Sequence, residues 1–417
     1  MLNEEEKIAL ITQISLDINE VKDVDMLLER ILTKIRRFFN ADAGSMYLKH
    51  GDMLRFSFTQ NDTLQKRLGP GKKLIYSTFS IPINNQSISG YVASNKKLVN
   101  IPDVYGMSGS EPYRFDAEFD ELSDYRCKSM LAVPMTNQRG DVLGVVQIIN
   151  AQNERGDVIP FSPADELVIM HFATSAALAI ERAQMTRNII LRMISVAELR
   201  DPTETGPHAN RVAAFSVEIF ETWARENGLP IEEINRQKDI LRMAAMLHDV
   251  GKVAVSDLIL KKPGKLTPKE FEVVKSHTYL GARLFHERRS ELDEMAVQVA
   301  LNHHEKWNGT GYPGHVDPLT GKPISGFAGP GREPRPKQGE DIPIYGRIVA
   351  VADVYDALRS RRTYKKPWAE TRVLEEMERG AGTHFDPAVI RAFFSTLDVL
   401  RSLADRYPER QEGSVIG

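Results

Sequence analysis

After Pro163 the chain runs to Asp201 without a glycine or proline. At 1.5 Å per residue a helix of that length would extend roughly 57 Å, too long for the inside of one small domain. It therefore has to bridge two domains. Phe161-Ser162-Pro163 supplies its start, since Ser162 can cap the helix and Pro163 fits the first position. A chain of 417 residues also exceeds what one hydrophobic core usually serves. The linker helix, about 164–200, is expected to join an N-terminal unit, 1–185, to a C-terminal one, 186–417. Its imperfect apolar stripe of Leu167, Met170, Ala176, Ile180 and Met193 could pair with the same helix of a second subunit or pack on its own domain. We expect a homodimer.

The two sides of this helix read differently. Before it, apolar residues recur at helical spacing from Ile8 to Ile35. Short alternating or apolar runs follow, 44–48, 53–58, 98–101, 129–135 and 143–150, separated by Gly, Asn and Asp, which predicts an antiparallel sheet. Asn137-Gln138-Arg139-Gly140-Asp141 between two of these runs predicts a hairpin turn. Beyond Asp201 the periodicity is helical throughout, over 208–227, 236–249, 268–289, 292–306, 345–359 and 368–379. A stretch rich in Gly, Pro and Lys, 315–341, interrupts this all-α half. Loops that long are usually functional or disordered, and a lid is one reading of it.

Charge excludes some classes of partner. Lys plus Arg number 54 against 57 Asp plus Glu, so the net charge of -3 provides no broad attraction to DNA, RNA or an anionic membrane. Phosphate binding has to be local. No stretch reaches about 18 consecutive apolar residues, and Glu4, Glu5 and Glu6 stand where a secretory signal would be basic. Cys127 is the only cysteine, so no intramolecular disulfide can form, and a cytoplasmic setting is expected.

Five of the ten histidines, His208, His248, His277, His303 and His304, fall in one stretch that also holds the adjacent pair His248-Asp249. Each alone would more often be a packed or surface residue; gathered, they point to metal. His303-His304-Glu305 ends another apolar helix and leads into Gly309-Thr310-Gly311-Tyr312-Pro313. Asp353 lies inside the apolar run Ile348-Val349-Ala350-Val351-Ala352, where a carboxylate needs a counter-charge or a cation.

His248-Asp249 with Gly251-Lys252, His303-His304-Glu305 and Gly311-Tyr312-Pro313, in that order, resemble the HD-GYP subgroup of HD-domain phosphohydrolases. The phrases Glu198-Leu199-Arg200-Asp201-Pro202, Lys262-Pro263-Gly264-Lys265-Leu266-Thr267 and Asp353-Val354-Tyr355-Asp356-Ala357-Leu358 extend the resemblance over about 190–397. It implies that His208, His248, Asp249 and Asp353 hold one metal, and that Asp249 bridges to a second held by His277, His303 and His304. Iron or manganese suits so histidine-rich a set better than magnesium. The likeness also makes Lys252 and Asp356 groups that support the ligands or touch phosphate, and so, with Asp249, the catalytic candidates. Tyr312 is a contact for guanine or phosphate. Arg362 and Lys365, in a basic run, could clamp the substrate phosphates or form a solvated helix end. Glu204, four residues before His208, is either a solvated residue ahead of a helix or a ligand for a third metal, as in a trinuclear subset of the family; we expect the ligand.

Before the linker, helix, short strands and helix, with Gly44-Ser45-Met46-Tyr47-Leu48 and Val145-Val146-Gln147-Ile148-Ile149-Asn150, resemble a GAF domain over about 24–182. Nucleotide-binding GAF domains often carry Asn-Lys, then Phe and Asp-Glu. Here Asn150 is followed by Ala151, so Phe161 and Asp165 read as structural and the sensor's ligand is unknown.

The expected fold is therefore multidomain α+β: a GAF-type α/β sandwich with an antiparallel sheet, a long connecting helix and an all-α HD-type domain. The resemblance implies metal-dependent hydrolysis of cyclic di-GMP to pGpG or as far as GMP, regulated by the GAF sensor. A cyclic di-GMP receptor with little turnover, or a hydrolase of another cyclic dinucleotide, fits the same residues.

Overall fold

Asp23 opens the first helix by accepting from the backbone N–H groups of Asp25 and Met26, two donors that a helix start leaves without partners. The computed structural model describes residues 12, 21, 23–68, 79–198, 206–360 and 368–408. Most of the expected N-terminal helix lies outside them, and the described part is α1 (Val24–Phe38). Then follow β1 (Ala41–His50), β2 (Met53–Asn61), α2 (Asp62–Leu68), β3 (Ser80–Pro82), α3 (Ile88–Asn95), β4 (Val99–Ile101), α4 (Glu118–Ser123), β5 (Met130–Thr136), β6 (Val142–Gln152) and β7 (Val158–Ile159). The strands form one antiparallel sheet in the order β3-β2-β1-β6-β5-β4, with β7 on β6. Asn137 and Asp141 close the β5–β6 hairpin through an Asn137 N–H to Asp141 carbonyl bond of 3.0 Å.

Both faces of this sheet are covered, which is why β6 reads as a continuous apolar run. Val146 and Ile148 face Leu28, Ile31 and Ile35 of α1 and Phe172, Ala176 and Ile180 of the next helix. Val145 and Ile149 face Ile88, Val92 and Ala93 of α3. Phe161 is packed in the first of these cores, and Asp165 spends its carboxylate on the Ser162 N–H, 2.7 Å away, as the first helical turn forms.

That turn begins α5 (Pro163–Glu198), a single helix. The chain forms two compact units, Met1–Thr186 and Arg187–Gly417, with the boundary inside α5. In the second unit α5 is followed by α6 (Gly206–Glu226), α7 (Ile231–Met246), α8 (Asp257–Leu260), α9 (Pro268–Lys275), α10 (His277–Arg283), α11 (Glu291–Asn302), α12 (Ile344–Arg359), α13 (Glu370–Arg379), α14 (Pro387–Ser395) and α15 (Leu397–Arg406). Its core joins Val212, Phe215 and Phe220 of α6, Leu241 and Ala244 of α7, Val299 of α11, and Ile348, Val351 and Tyr355 of α12.

The helix expected over 268–289 is instead two. Ser276 donates its hydroxyl to the Val273 carbonyl at 2.6 Å, His277 Nδ1 bonds the Val274 carbonyl at 2.7 Å, and Thr278 donates to the Lys275 carbonyl at 2.9 Å. Three successive side chains thus take carbonyls that the helix ladder would use.

The long stretch 315–341 is held at both stems. Gly314 N–H donates to Glu305 Oε1 at 2.6 Å, His315 N–H to the Arg335 carbonyl at 2.9 Å, and buried Lys337 donates to Asn302 Oδ1 at 2.6 Å. Asn302 and Glu305 flank His303 and His304, so the loop is pinned to the segment that bears that histidine pair.

Candidate metal centre

His208 sits in the first turn of α6, and Asp353 in the middle of α12. His248 and Asp249 follow the end of α7 and lead into a 3₁₀ turn, Val250–Ala254. Gly251 in that turn has no room for a side chain: a Cβ would run into the His277 carbonyl and the backbone of Gly281. This contact seats the start of α10, and with it His277, beside Asp249. Gly311 plays the same part for the opposite wall, where a Cβ would collide with the backbone of Glu305 and Lys306. It brings Tyr312 over His304, with ring centroids 4.9 Å apart.

The structure gathers the candidate ligands into two adjoining groups. Asp249, His277, His303 and His304 each offer an atom within 4.8 Å of the others, and so do His208, His248 and Asp353. His277 Nε2 is 3.0 Å and His303 Nε2 3.4 Å from Asp249 Oδ1, and the two nitrogens are 3.5 Å apart. His248 Nε2 stands 3.5 Å from Asp249 Oδ2, and its ring centroid 5.2 Å from that of His303. His208 Nε2 is 3.6 Å from Asp353 Oδ1.

The other ring nitrogens explain the orientation. Nδ1 of His248, His277 and His303 faces backbone carbonyls of Ala245 (2.8 Å), Val274 (2.7 Å) and Ala300 (3.0 Å). A carbonyl only accepts, so Nδ1 carries the proton and Nε2 points its lone pair inward. His208 Nδ1 is 2.8 Å from Asp356 Oδ2, and Asp356 in turn accepts from Arg211 Nε at 2.6 Å and Nη2 at 2.9 Å. Lone pairs and carboxylate oxygens converging in a buried space repel one another, and a cation between them removes the repulsion. The donor set fits divalent metal on these grounds.

Protonation agrees with ligand duty. Burial lowers the pKa of His303, and burial with the neighbouring His303 and His277 takes His304 well below the ordinary 6.5, so both are neutral near pH 7. Burial alone would raise the Asp249 carboxyl, but the Lys252 ammonium, at 2.9 Å, holds it well below the usual carboxylate range. Glu305 goes the other way, pushed by burial to about 7 despite Lys337.

Asp356 is fully buried and lies 2.8 Å from His208 Nδ1, through which it meets the site. Arg211, its partner, escaped the sequence reading. The signal was available: a charged residue three positions after His208 and just before the apolar run Val212-Ala213-Ala214-Phe215. Glu204, Arg362 and Lys365 lie outside the described residues.

A two-faced sheet domain followed by a helical domain with paired His/Asp groups defines a two-domain protein of the HD class. The GAF domain family model matches residues 23–180 and the HD domain family model residues 205–358. Among relatives from Vibrio cholerae serotype O1, a probable cyclic di-GMP phosphodiesterase is 31% identical over 336 residues, covering 76% of this chain and 68% of the relative. A 3'3'-cGAMP-specific phosphodiesterase 2 is 31% identical over 299 residues, 68% of this chain and 51% of the relative. A cyclic di-GMP phosphodiesterase is 32% identical over 295 residues, 69% and 53%. The chain thus spans about half the length of the last two. It belongs to the HD-GYP family of HD-domain phosphodiesterases. No described helix is long and apolar enough to cross a membrane.

Proposed function

We propose that the protein hydrolyses cyclic di-GMP, to pGpG or as far as GMP, in the helical unit, under control of an unidentified ligand of the GAF domain in a cytoplasmic setting. The observation that carries this reading is the convergence of two His/Asp groups at the buried Asp249 carboxylate. His208, His248, Asp249 and Asp353 would hold one iron or manganese ion, and Asp249, His277, His303 and His304 a second. Glu204 is assigned to a third. Bound together, such ions supply Lewis acidity to the phosphodiester and lower the pKa of water near neutrality.

The chain's own residues do the rest. Lys252 balances the Asp249 charge and presents an ammonium where a phosphate would arrive. Asp356 and Arg211 hold His208 in one tautomer. Tyr312, over His304, bounds the mouth of the site, and Arg362 with Lys365 would clamp the phosphates.

We assign the exposed stripe Met185, Ile189, Met193 and Val196 of α5 to a second copy of the chain. Of the expected stripe, Ala176 and Ile180 are buried in the core of the sheet domain, while Leu167, Met170 and Met193 stay exposed.

The relative named for 3'3'-cGAMP supports a second reading, in which that mixed dinucleotide is the substrate. Chromatography of products from metal-loaded protein given each cyclic dinucleotide separates the two. Faster cleavage of cyclic di-GMP is expected. Preference for 3'3'-cGAMP would install the second reading, and binding without cleavage would make the protein a receptor.

A further inference from the structure

Phe271 is a large aromatic residue left 44% exposed beside the candidate site. It sits on α9, a helix whose start is locked: Thr267 Oγ1 accepts from Glu270 N–H, and Glu270 Oε2 accepts from Thr267 N–H at 2.7 Å and pairs with Lys262 at 2.7 Å. One turn on, Lys275 ends the helix, and His277 follows two residues later. The Phe271 ring stands edge to face with Tyr312, centroids 6.0 Å apart at 81°. The Lys275 ammonium lies over both rings, 5.1 Å from the Phe271 centroid and 5.6 Å from that of Tyr312, and is held there by Glu272 at 2.7 Å. Tyr312 in turn lies over His304. An aromatic track therefore leads from a candidate metal ligand outward to solvent, with a fixed cation along it.

We propose that Phe271, with Tyr312 and the cation of Lys275, forms a stacking subsite for a nucleobase of the substrate. The proposal rests on the cyclic dinucleotide reading above. A cyclic dinucleotide with one phosphate at the His/Asp groups must carry its bases away from them, and a base has a π-face that any exposed ring can take. A flat ring on a rigid helix suits that purpose, since little conformational freedom is lost on binding. The competing role for Phe271 is packing, a greasy prop for Tyr312. The two roles differ in what shape of side chain they tolerate.

The test compares Phe271→Ala, Phe271→Leu and Phe271→Trp in the full-length, metal-loaded protein, reading KM and kcat for cyclic di-GMP and 3'3'-cGAMP alongside metal content and thermal melting. Loss of a base–aromatic stack predicts a rise in KM of about tenfold or more for Ala and nearly as much for Leu, with kcat changing far less. Trp, which keeps the face, holds KM near the parent value, and metal content is the same in all. If the parent binds without turnover, the same ratios are read in Kd by calorimetry. A parental KM in Phe271→Leu would show that Phe271 only packs and would overturn the subsite, as would an unchanged KM in Phe271→Ala. A parent that neither binds nor cleaves any cyclic dinucleotide would remove the hydrolase reading and the subsite with it. A parent that cleaves, with indifferent variants, would remove the subsite alone.

Discussion

Replacing Asp356 by asparagine strips the negative charge from a fully buried group that serves His208 and Arg211 at once. The carboxylate accepts from Arg211 Nε and Nη2 and lies 2.8 Å from His208 Nδ1. An amide oxygen cannot serve all three, and its NH₂ faces donors. Removing one member of a buried pair destabilises by about 3–5 kcal/mol, because the remaining charge stays desolvated. At an m value near 2–3 kcal/mol/M this moves the urea midpoint down by about 1–2 M. Trp223, Trp307 and Trp368, the chain's three tryptophans, all belong to the second unit, so their fluorescence follows that unit alone. The same change frees the tautomer of His208, and loss of such a support lowers metal affinity about 10–100-fold. Manganese titration against a competing chelator reads this. The double variant Arg211→Met with Asp356→Leu separates the effects: two apolar residues restore the stability, but His208 still lacks its acceptor, so metal affinity stays low. An unshifted midpoint for Asp356→Asn, or parental metal affinity in the double variant, would refute the reasoning.

Asp249 is placed to serve both groups of ligands, so Asp249→Ala and His248→Ala are expected to reduce cyclic di-GMP turnover to background while the circular dichroism of the GAF unit persists; parental activity at parental metal content contradicts the assignment. Glu305, raised from the ordinary 4.5 to about 7, binds a proton in the folded state that the unfolded state has already released. Its contribution is full below pH 4.5 and is lost as pH rises through 7, roughly 3 kcal/mol at about 1.36 kcal/mol per pKa unit. Metal-free Glu305→Gln should accordingly lose less stability than the parent between pH 5 and 8 in urea unfolding, and equal slopes would count against it. Light scattering should give the mass of two chains, falling to one in Ile189→Glu with Met193→Glu; a parent that is monomeric at micromolar concentration excludes the dimer.

Where local chemistry decided an element, the residues announced it. The cap at Ser162 and the run without glycine or proline mark α5, and alternation with turn residues marks the sheet. Asp353 stood out because its surroundings are apolar. What escaped was set by partners distant in the chain or by side chains acting on the backbone. Arg211 and Asp356 are 145 residues apart, and neither alone specifies the other. The break between α9 and α10 has no glycine or proline to signal it, only Ser276, His277 and Thr278 turning their donors onto carbonyls. Lys337 looked like one more charge in a polar loop, yet it is buried on Asn302 beside the histidine pair. Phe271 fitted an ordinary amphipathic helix, and only the fold sets it against Tyr312.

Metal content and cyclic di-GMP turnover, measured on one preparation purified without oxygen, put metal-dependent hydrolysis to the test. Two ions per chain, or three with Glu204 as a ligand, are predicted, with turnover falling to background on chelation and returning in proportion to the iron or manganese restored. Undiminished turnover after removal to well below one ion per chain, or a fully loaded protein that leaves cyclic di-GMP intact, would contradict it.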